Sequence, residues 1–192
     1  STALFHPEMN PENSLLQHFV GWVVRTDKPV FDEKVGTLMD FRLDQKHGTT
    51  FMYVLPTSST EALIEYTLFT EKVLEKEEYE SALKDYIQDY LNLESYELLH
   101  TEFGIIPMSL ARFESSPKGS GSIINIGTAG GFTKASSGYT FQFIQKNTES
   151  IPEALKKGKS PNVTMRIREQ IYQWYDRTLL DVLIENKMEG RD

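Results

Sequence analysis

A glutamate inside an apolar strand, an aspartate in a similar setting and a glycine-dense turn are the residues whose types and spacing can do chemistry. Glu65 sits in Ile64-Glu65-Tyr66-Thr67-Leu68-Phe69. Strand alternation puts it on one face with Leu63 and Thr67 and puts Tyr66 on the other. Asp40 is set likewise in Leu38-Met39-Asp40-Phe41-Arg42. A carboxylate among apolar neighbours is costly unless it is paired or protonated. Burial raises its pKa and leaves an acid with a proton to give. The same pattern suits a charge facing water from a half-exposed sheet, and periodicity alone favours that plainer arrangement. The turn Gly127-Thr128-Ala129-Gly130-Gly131 is followed by Ser137-Gly138-Tyr139. Its glycines let backbone amides approach a ligand, and the helix expected next offers N–H groups and a positive dipole end. A phosphate or the electron-rich edge of a cofactor suits such a turn. So does no ligand at all, if the turn only joins two elements.

Other signatures fail. Gly158-Lys159-Ser160 ends like a phosphate-binding loop but has Glu153 where that loop needs its first glycine. Gly119-Ser120-Gly121 lacks the third glycine of a dinucleotide fingerprint. His6, His18, His47 and His100 are scattered with no pair at ligand spacing, and there is no cysteine, so no metal site is expected. With 20 basic and 28 acidic residues among 192, the net charge of −8 argues against a nucleic-acid partner. A hydrophobic share of 39% and an aromatic share of 11% are too high for a disordered chain. No apolar run is long enough to span a bilayer and no signal peptide is visible, so the expected location is cytoplasmic.

The elements that must position these residues change character along the chain. Residues 1–14 are polar with two prolines and read as an extended lead-in. From Leu15 to Phe69, strand-sized runs joined by short turns predict an antiparallel sheet. Leu83, Tyr86, Ile87, Tyr90 and Leu91 fall at helical spacing between Glu77 and Leu91. Glu97–Ile106 reads as a further strand ended by Pro107. Ile123–Ile126 is a short apolar strand running straight into the glycine turn, the habit of a parallel α/β sheet. A helix over Tyr139–Lys157 and a last helix from Ser160-Pro161 follow, the latter with Ile167, Ile171, Trp174, Tyr175, Val182 and Leu183 on one face. The fold class expected is α+β. Residues 15–122 form a sheet domain with flanking helices, and 123–192 form a strand–turn–helix segment belonging to a second domain. The Ile123 strand has no upstream βαβ partner, which suggests part of a larger protein and an exposed edge on which two copies can pair.

Five segments, in order, resemble the lycopene cyclases. They are Leu16-Gln17-His18-Phe19-x-Gly21-Trp22, Leu38-Met39-Asp40-Phe41-Arg42, Phe51-Met52-Tyr53-Val54-Leu55-Pro56, Leu63-Ile64-Glu65-Tyr66-Thr67, and Gly127-Thr128-Ala129-Gly130-Gly131 with Ser137-Gly138-Tyr139. The likeness, over about Leu15–Leu155, is to the flavin-containing bacterial and plant β-cyclases, which close the ends of lycopene into β-rings to give β-carotene. It implies FAD, kept reduced by NAD(P)H, in a reaction with no net redox change. It implies Glu65 as the essential acid, Asp40 as a second acid or a support, and Gly127–Gly131 with Ser137–Tyr139 as the segment that meets the flavin. The family often has a second carboxylate where this chain has Tyr66, so a paired-acid scheme is not supplied by that motif. Trp22, Phe41, Tyr53, Tyr66 and Phe69 are the aromatic residues available to line a pocket for the substrate and its cation.

The family's N-terminal GxGxxG segment is not present. The chain therefore reads as the C-terminal part of a cyclase, colourless and inactive by itself. A substrate soluble only in lipid implies peripheral membrane contact, for which Lys156, Lys157, Lys159, Arg166 and Arg168 form a basic cluster. Two other functions fit the same residues: a related flavin-dependent isoprenoid reductase or epoxidase, and a non-catalytic carrier of apolar ligands.

Overall fold

The computed structural model describes residues 14–111, 113, 123–159, 161 and 167–185, the side chains of 167–170 excepted. Five strands form one sheet: β1 (Ser14–Arg25), β2 (Thr37–Asp40), β3 (Thr49–Pro56), β4 (Glu61–Thr70) and β5 (Glu97–Ser109), in the order β2-β3-β4-β1-β5. The pairs β2–β3, β3–β4 and β4–β1 are antiparallel. Contacts from Ser14 to Ser109, Phe19 to Gly104, Gly21 to Glu102 and Arg25 to Glu97 descend along β5 as they ascend β1, so this pair is antiparallel too. The helices are α1 (Lys76–Asp89), α2 (Phe141–Thr148), α3 (Ser150–Lys156) and α4 (Ile167–Ile184). This is the α+β architecture read from the sequence.

Two compact units divide the chain: Leu16–Ile105, and Ile106–Glu185 with residues 14–15. The division falls inside β5; residues 114–122, just before the boundary expected at 122/123, lie outside the described residues.

In the first unit, alternate residues of three strands turn one face toward α1. Val20, Trp22 and Val24 of β1, Met52 and Val54 of β3, and Ala62, Ile64, Tyr66 and Leu68 of β4 form one buried cluster with Tyr79, Leu83, Tyr86 and Ile87 of α1. The helix positions recur at the spacing that makes a single apolar stripe. Its start is fixed by Glu78, whose carboxylate accepts the backbone N–H of Glu75 at 3.0 Å. The β3–β4 hairpin is held by Ser58, whose hydroxyl oxygen accepts the N–H groups of Thr60 and Glu61 at 3.2 and 3.0 Å. β5 continues through Pro107 to Ser109 where the sequence predicts an end. It is the last strand in the sheet order, the place in a sheet where proline is tolerated.

In the second unit, Ile123–Ile126 leads into the glycine turn as extended backbone (Ile126 φ −124°, ψ 170°) but lies outside the five-stranded sheet. The single helix expected over Tyr139–Lys157 is two helices that meet at Glu149. Pro152 has no N–H for the Thr148 carbonyl and interrupts the ladder. On α4, the buried positions are Asp176 and Leu180, whereas Ile171, Trp174 and Tyr175, read as part of one apolar face, are exposed. Salt-bridging of Asp176 to Lys134 sets that rotation, since neighbouring helix residues lie about 100° apart.

A polar chain runs through the first unit's core. The Leu74 N–H donates to the Tyr79 hydroxyl at 3.2 Å, Tyr79 O–H to His18 Nδ1 at 2.5 Å, His18 Nε2–H to Thr70 Oγ1 at 2.7 Å, and Thr70 O–H to the Lys72 carbonyl at 2.5 Å. Every donor has one acceptor, which fixes the imidazole as the neutral Nε2–H tautomer. Burial lowers the His18 pKa from 6.5 to about 4. The unfolded chain then binds a proton more readily than the folded one between those values, so stability rises with pH across that interval. Because Glu65 titrates with the opposite sign over part of this interval, the measurement is a difference: relative to His18→Asn, the parent chain is expected to lose about 3 kcal/mol in denaturant unfolding as the pH falls from about 6.5 to about 4. His18→Asn is expected to be less stable at pH 7 but to lack this slope; an unchanged slope would refute the assignment.

Candidate functional site

The sheet face opposite α1 carries Glu65. The ladders place Tyr53 of β3 and Gly21 of β1 directly beside it, with Phe51 and Phe19 flanking Thr67 one pair further along. Thr67 O–H donates to Glu65 Oε1 at 2.9 Å. Gly21 leaves an open position between Glu65 and β5, and the side chain of Glu102 fills it. A Cβ on Gly21 would stand 2.8 Å from Glu102 Oε1 and 2.9 Å from its Cγ. The two carboxyl groups hydrogen-bond to each other over this glycine. Strands lie about 4.8 Å apart, so Glu65 and Glu102 start roughly 10 Å apart at the backbone and meet only because β1 has no side chain between them. One pair further on the roles reverse, and the Phe19 ring lies over Gly104. Burial pushes the Glu65 carboxyl up to about 7, with the Glu102 charge and hydrogen bond adding to it and the Thr67 hydroxyl opposing it. Glu65 is thus a half-buried acid that still holds its proton near neutrality.

Three of the expected aromatic residues share this face. Phe41, Tyr53 and Phe69 each make an edge-to-face contact with Phe51, at centroid distances of 5.4, 5.4 and 5.3 Å. Phe51 is the hub, 1% exposed, and was not among the aromatics singled out from the sequence. Trp22 and Tyr66 are a correction: both point to the α1 side, 4% and 5% exposed, and belong to the core. Tyr66 adjoins Glu65 in the chain, and the two-residue period of a strand sends it the other way.

Asp40 is also corrected as an acid. Between the Thr37–Val54 and Asp40–Met52 pairs β2 carries one residue more than β3, a bulge at which Met39 adopts φ +53°. The bulge delivers Asp40 to the side of Met52 and α1. There Arg42 grips its carboxylate from Nε (2.9 Å to Oδ1) and from its terminal nitrogen (2.5 Å to Oδ2), while Tyr86 O–H donates to Oδ2 at 2.7 Å. These donors hold Asp40 down to about 2. Held as an anion by Arg42 and Tyr86, it ties β2 to α1 and does not keep the proton expected of a second acid. The groove of about 490 Å³ beside it, lined in part by Leu43, Tyr66, Tyr86 and Tyr90, lies on the α1 side and is edged by Asp44, Asp85 and Asp89. No group of three potential metal ligands occurs among the described residues.

In the second unit, Gly127–Gly130 forms one 3-10 turn closed by Gly131, with φ +63° at Gly127 and +75° at Gly131, conformations that exclude most side chains. At Gly130 a Cβ would fall 2.4 Å from the Asn125 carbonyl oxygen. The next loop is pinned to α4: Lys134 bonds Asp176 and Ser136, and Ser136 O–H donates to Asp176 Oδ1 at 2.6 Å. Gly138 turns the chain at φ +70°, and Tyr139 is exposed. The Ser137 hydroxyl is buried and has no hydrogen-bond partner among the described residues. A buried orphan hydroxyl next to a glycine turn is what a ligand-contacting loop presents before its ligand arrives. Of the basic cluster, Lys156, Lys157 and Lys159 are exposed, Arg166 lies outside the described residues, and the Arg168 side chain is not described. Among the described residues no helix is long and apolar enough to cross a membrane.

The family described as Lycopene cyclase protein matches residues 1–191, and the chain belongs to that family. Among solved structures it is similar to a geranylgeranyl bacteriochlorophyll reductase-like protein from Thermoplasma acidophilum, with TM-score 0.55 and 14% identity over 93% of this chain and 41% of that one. A flavin-dependent halogenase from Xanthomonas campestris aligns with TM-score 0.45 and 12% identity over 88% of this chain and 29% of its own. The first likeness shows a shared fold, and this chain spans less than half of that protein's length. No curated protein matches.

Because Glu65 keeps its proton to higher pH when folded, its contribution is complete below about pH 4.5 and is lost as the pH rises through about 7. Glu65→Gln is expected to remove that decline, so the variant gains stability over the parent chain at pH 8 and not at pH 5. Equal differences at the two pH values, measured by denaturant titration, would contradict the buried-acid assignment.

Proposed function

We propose that Glu65 is the proton donor of a lycopene β-cyclase and that the sheet face around it receives one end of the polyene. The observation that carries this is the setting of Glu65: a half-buried carboxyl, its pKa pushed up by burial, beside an aromatic cluster on the sheet face opposite α1. An alkene is a very weak base, so its protonation calls for a neutral acid shielded from bulk water. Glu65 gives its proton to the terminal double bond, and the neighbouring double bond attacks the resulting cation to close the ring. Phe41, Tyr53 and Phe69 stand where their π-faces can stabilise that cation, each by roughly 0.5–2 kcal/mol. Loss of a ring proton completes an isomerisation.

The glycine turn and loop fit a flavin contact. Ser137 offers its buried hydroxyl, and the amides of Gly127, Thr128 and Ala129 precede the turn's internal hydrogen bonds. These groups would hold the edge of a reduced FAD, which, kept reduced by NAD(P)H, would supply stabilisation of positive charge without net redox change. A lipid-soluble substrate places the working enzyme at a membrane surface, and Lys156, Lys157 and Lys159 offer peripheral contacts to anionic headgroups.

The test is carotenoid analysis of lycopene-accumulating cells that express the full-length enzyme. Glu65→Gln is expected to cut β-carotene formation by roughly 10²-fold or more. Asp40→Asn is expected to lower it only in proportion to lost folded protein. Undiminished β-carotene with Glu65→Gln would overturn the acid role. A product heavier by H2, formed with stoichiometric NADPH, would assign the reductase chemistry instead.

A further inference from the structure

We infer that Glu102 is a second catalytic residue, the base that takes the ring proton and returns it to Glu65, and that Gly21 exists in β1 to let the two carboxyls meet. This rests on the reading of Glu65 as the acid. The geometry is specific. Glu65, Gly21 and Glu102 lie abreast on three neighbouring strands and on one face, and the Glu102 carboxyl occupies the volume a Gly21 side chain would need. Nearby, Arg25 pairs with Glu61 at 2.7 Å and with Glu97 at 3.6 Å, one guanidinium against two carboxylates, and strand alternation puts His100 on the same face of β5 as Glu102. Tyr53 from β3 and Thr67 from β4 complete the surroundings. Two carboxyls in contact hold one proton between them, because both cannot ionise at that distance.

One shared proton is what the reaction requires. Neutral Glu65 donates to ionised Glu102 in the resting pair. When the alkene π pair forms the new C–H bond, the proton leaves Glu65 and the pair becomes doubly anionic beside the cation. The next π pair forms the ring C–C bond. The electron pair of a ring C–H bond becomes the ring double bond, and its proton passes to Glu102. Transfer along the Glu102–Glu65 hydrogen bond then restores the starting state. One proton is given and one is recovered, and no oxidant or reductant is spent. The position of Glu102 selects which C–H bond breaks, and hence which ring isomer forms.

Two variants of opposite chemistry test this in the full-length enzyme, by rate, product isomer and pH profile. Glu102→Gln is expected to lower cyclisation by roughly 10²-fold, to yield rings with the double bond at other carbons, and to move the alkaline limb of the rate profile to lower pH, since the like charge that raises Glu65 is gone. Gly21→Ala keeps both acids but sets a methyl between them, and is expected to reproduce the mixed ring products. If Glu65→Gln is inactive while Glu102→Gln retains the rate, the single isomer and the pH limb, Glu102 has no catalytic part and Glu65 acts alone. If Glu65→Gln is itself active, the parent reading fails instead. A Gly21→Ala enzyme that makes one ring isomer at the parent rate would also overturn the pair.

Discussion

Tyr53, Glu65 and Gly21 stand side by side on β3, β4 and β1, and a slip of one residue in either ladder would turn the carboxyl into the α1 core. That register is the constraint on which the site depends. It is enforced from the other face, where Met52, Val54, Ile64, Tyr66, Val20 and Trp22 are buried together with α1. A slip would expose this whole apolar set, so the core that stabilises the sheet also aims the acid. Glu65 needs no strained backbone of its own. It is held by the same alternation that builds the fold.

Three ionisable groups of this unit stand in different regimes set by their partners. His18 is buried among neutral donors and acceptors and stays uncharged. Asp40 meets a guanidinium and a phenol and stays ionised. Glu65 has a hydroxyl on one side and another carboxyl on the other, and titrates near neutrality. Of these three, Glu65 is the one whose pKa falls near physiological pH. The fold disfavours its ionised form, so chemistry and stability pull against each other at this position.

The second unit is organised about a different constraint. Gly127, Gly131 and Gly138 take backbone conformations closed to most residues, and Asp176 fastens the loop between them to α4 through Lys134 and Ser136. Turning Asp176 inward turns Trp174 and Tyr175 outward. One ion pair thereby fixes the loop bearing the Ser137 hydroxyl, which has no partner among the described residues, and decides which side of α4 is exposed.

The strands, the first helix, the glycine turn and the family likeness were legible in the sequence because period, turn chemistry and motif order are local properties. Glu65's face followed from the same alternation. Its partner did not: Glu102 lies 37 residues away on a strand whose pairing no local pattern specifies, and Gly21 shows its purpose only when flanked on both sides. Trp22 and Tyr66 were placed near the acid by their type, and the pleat put them on the other face. Asp40 could be read as acid or support until the bulge at Met39 carried it to Arg42 and Tyr86. What the sequence by itself determined was which elements form and which residue types they carry. Only the tertiary structure decided which carboxyl keeps its proton, because a pKa is set by burial and by neighbours that lie on other strands.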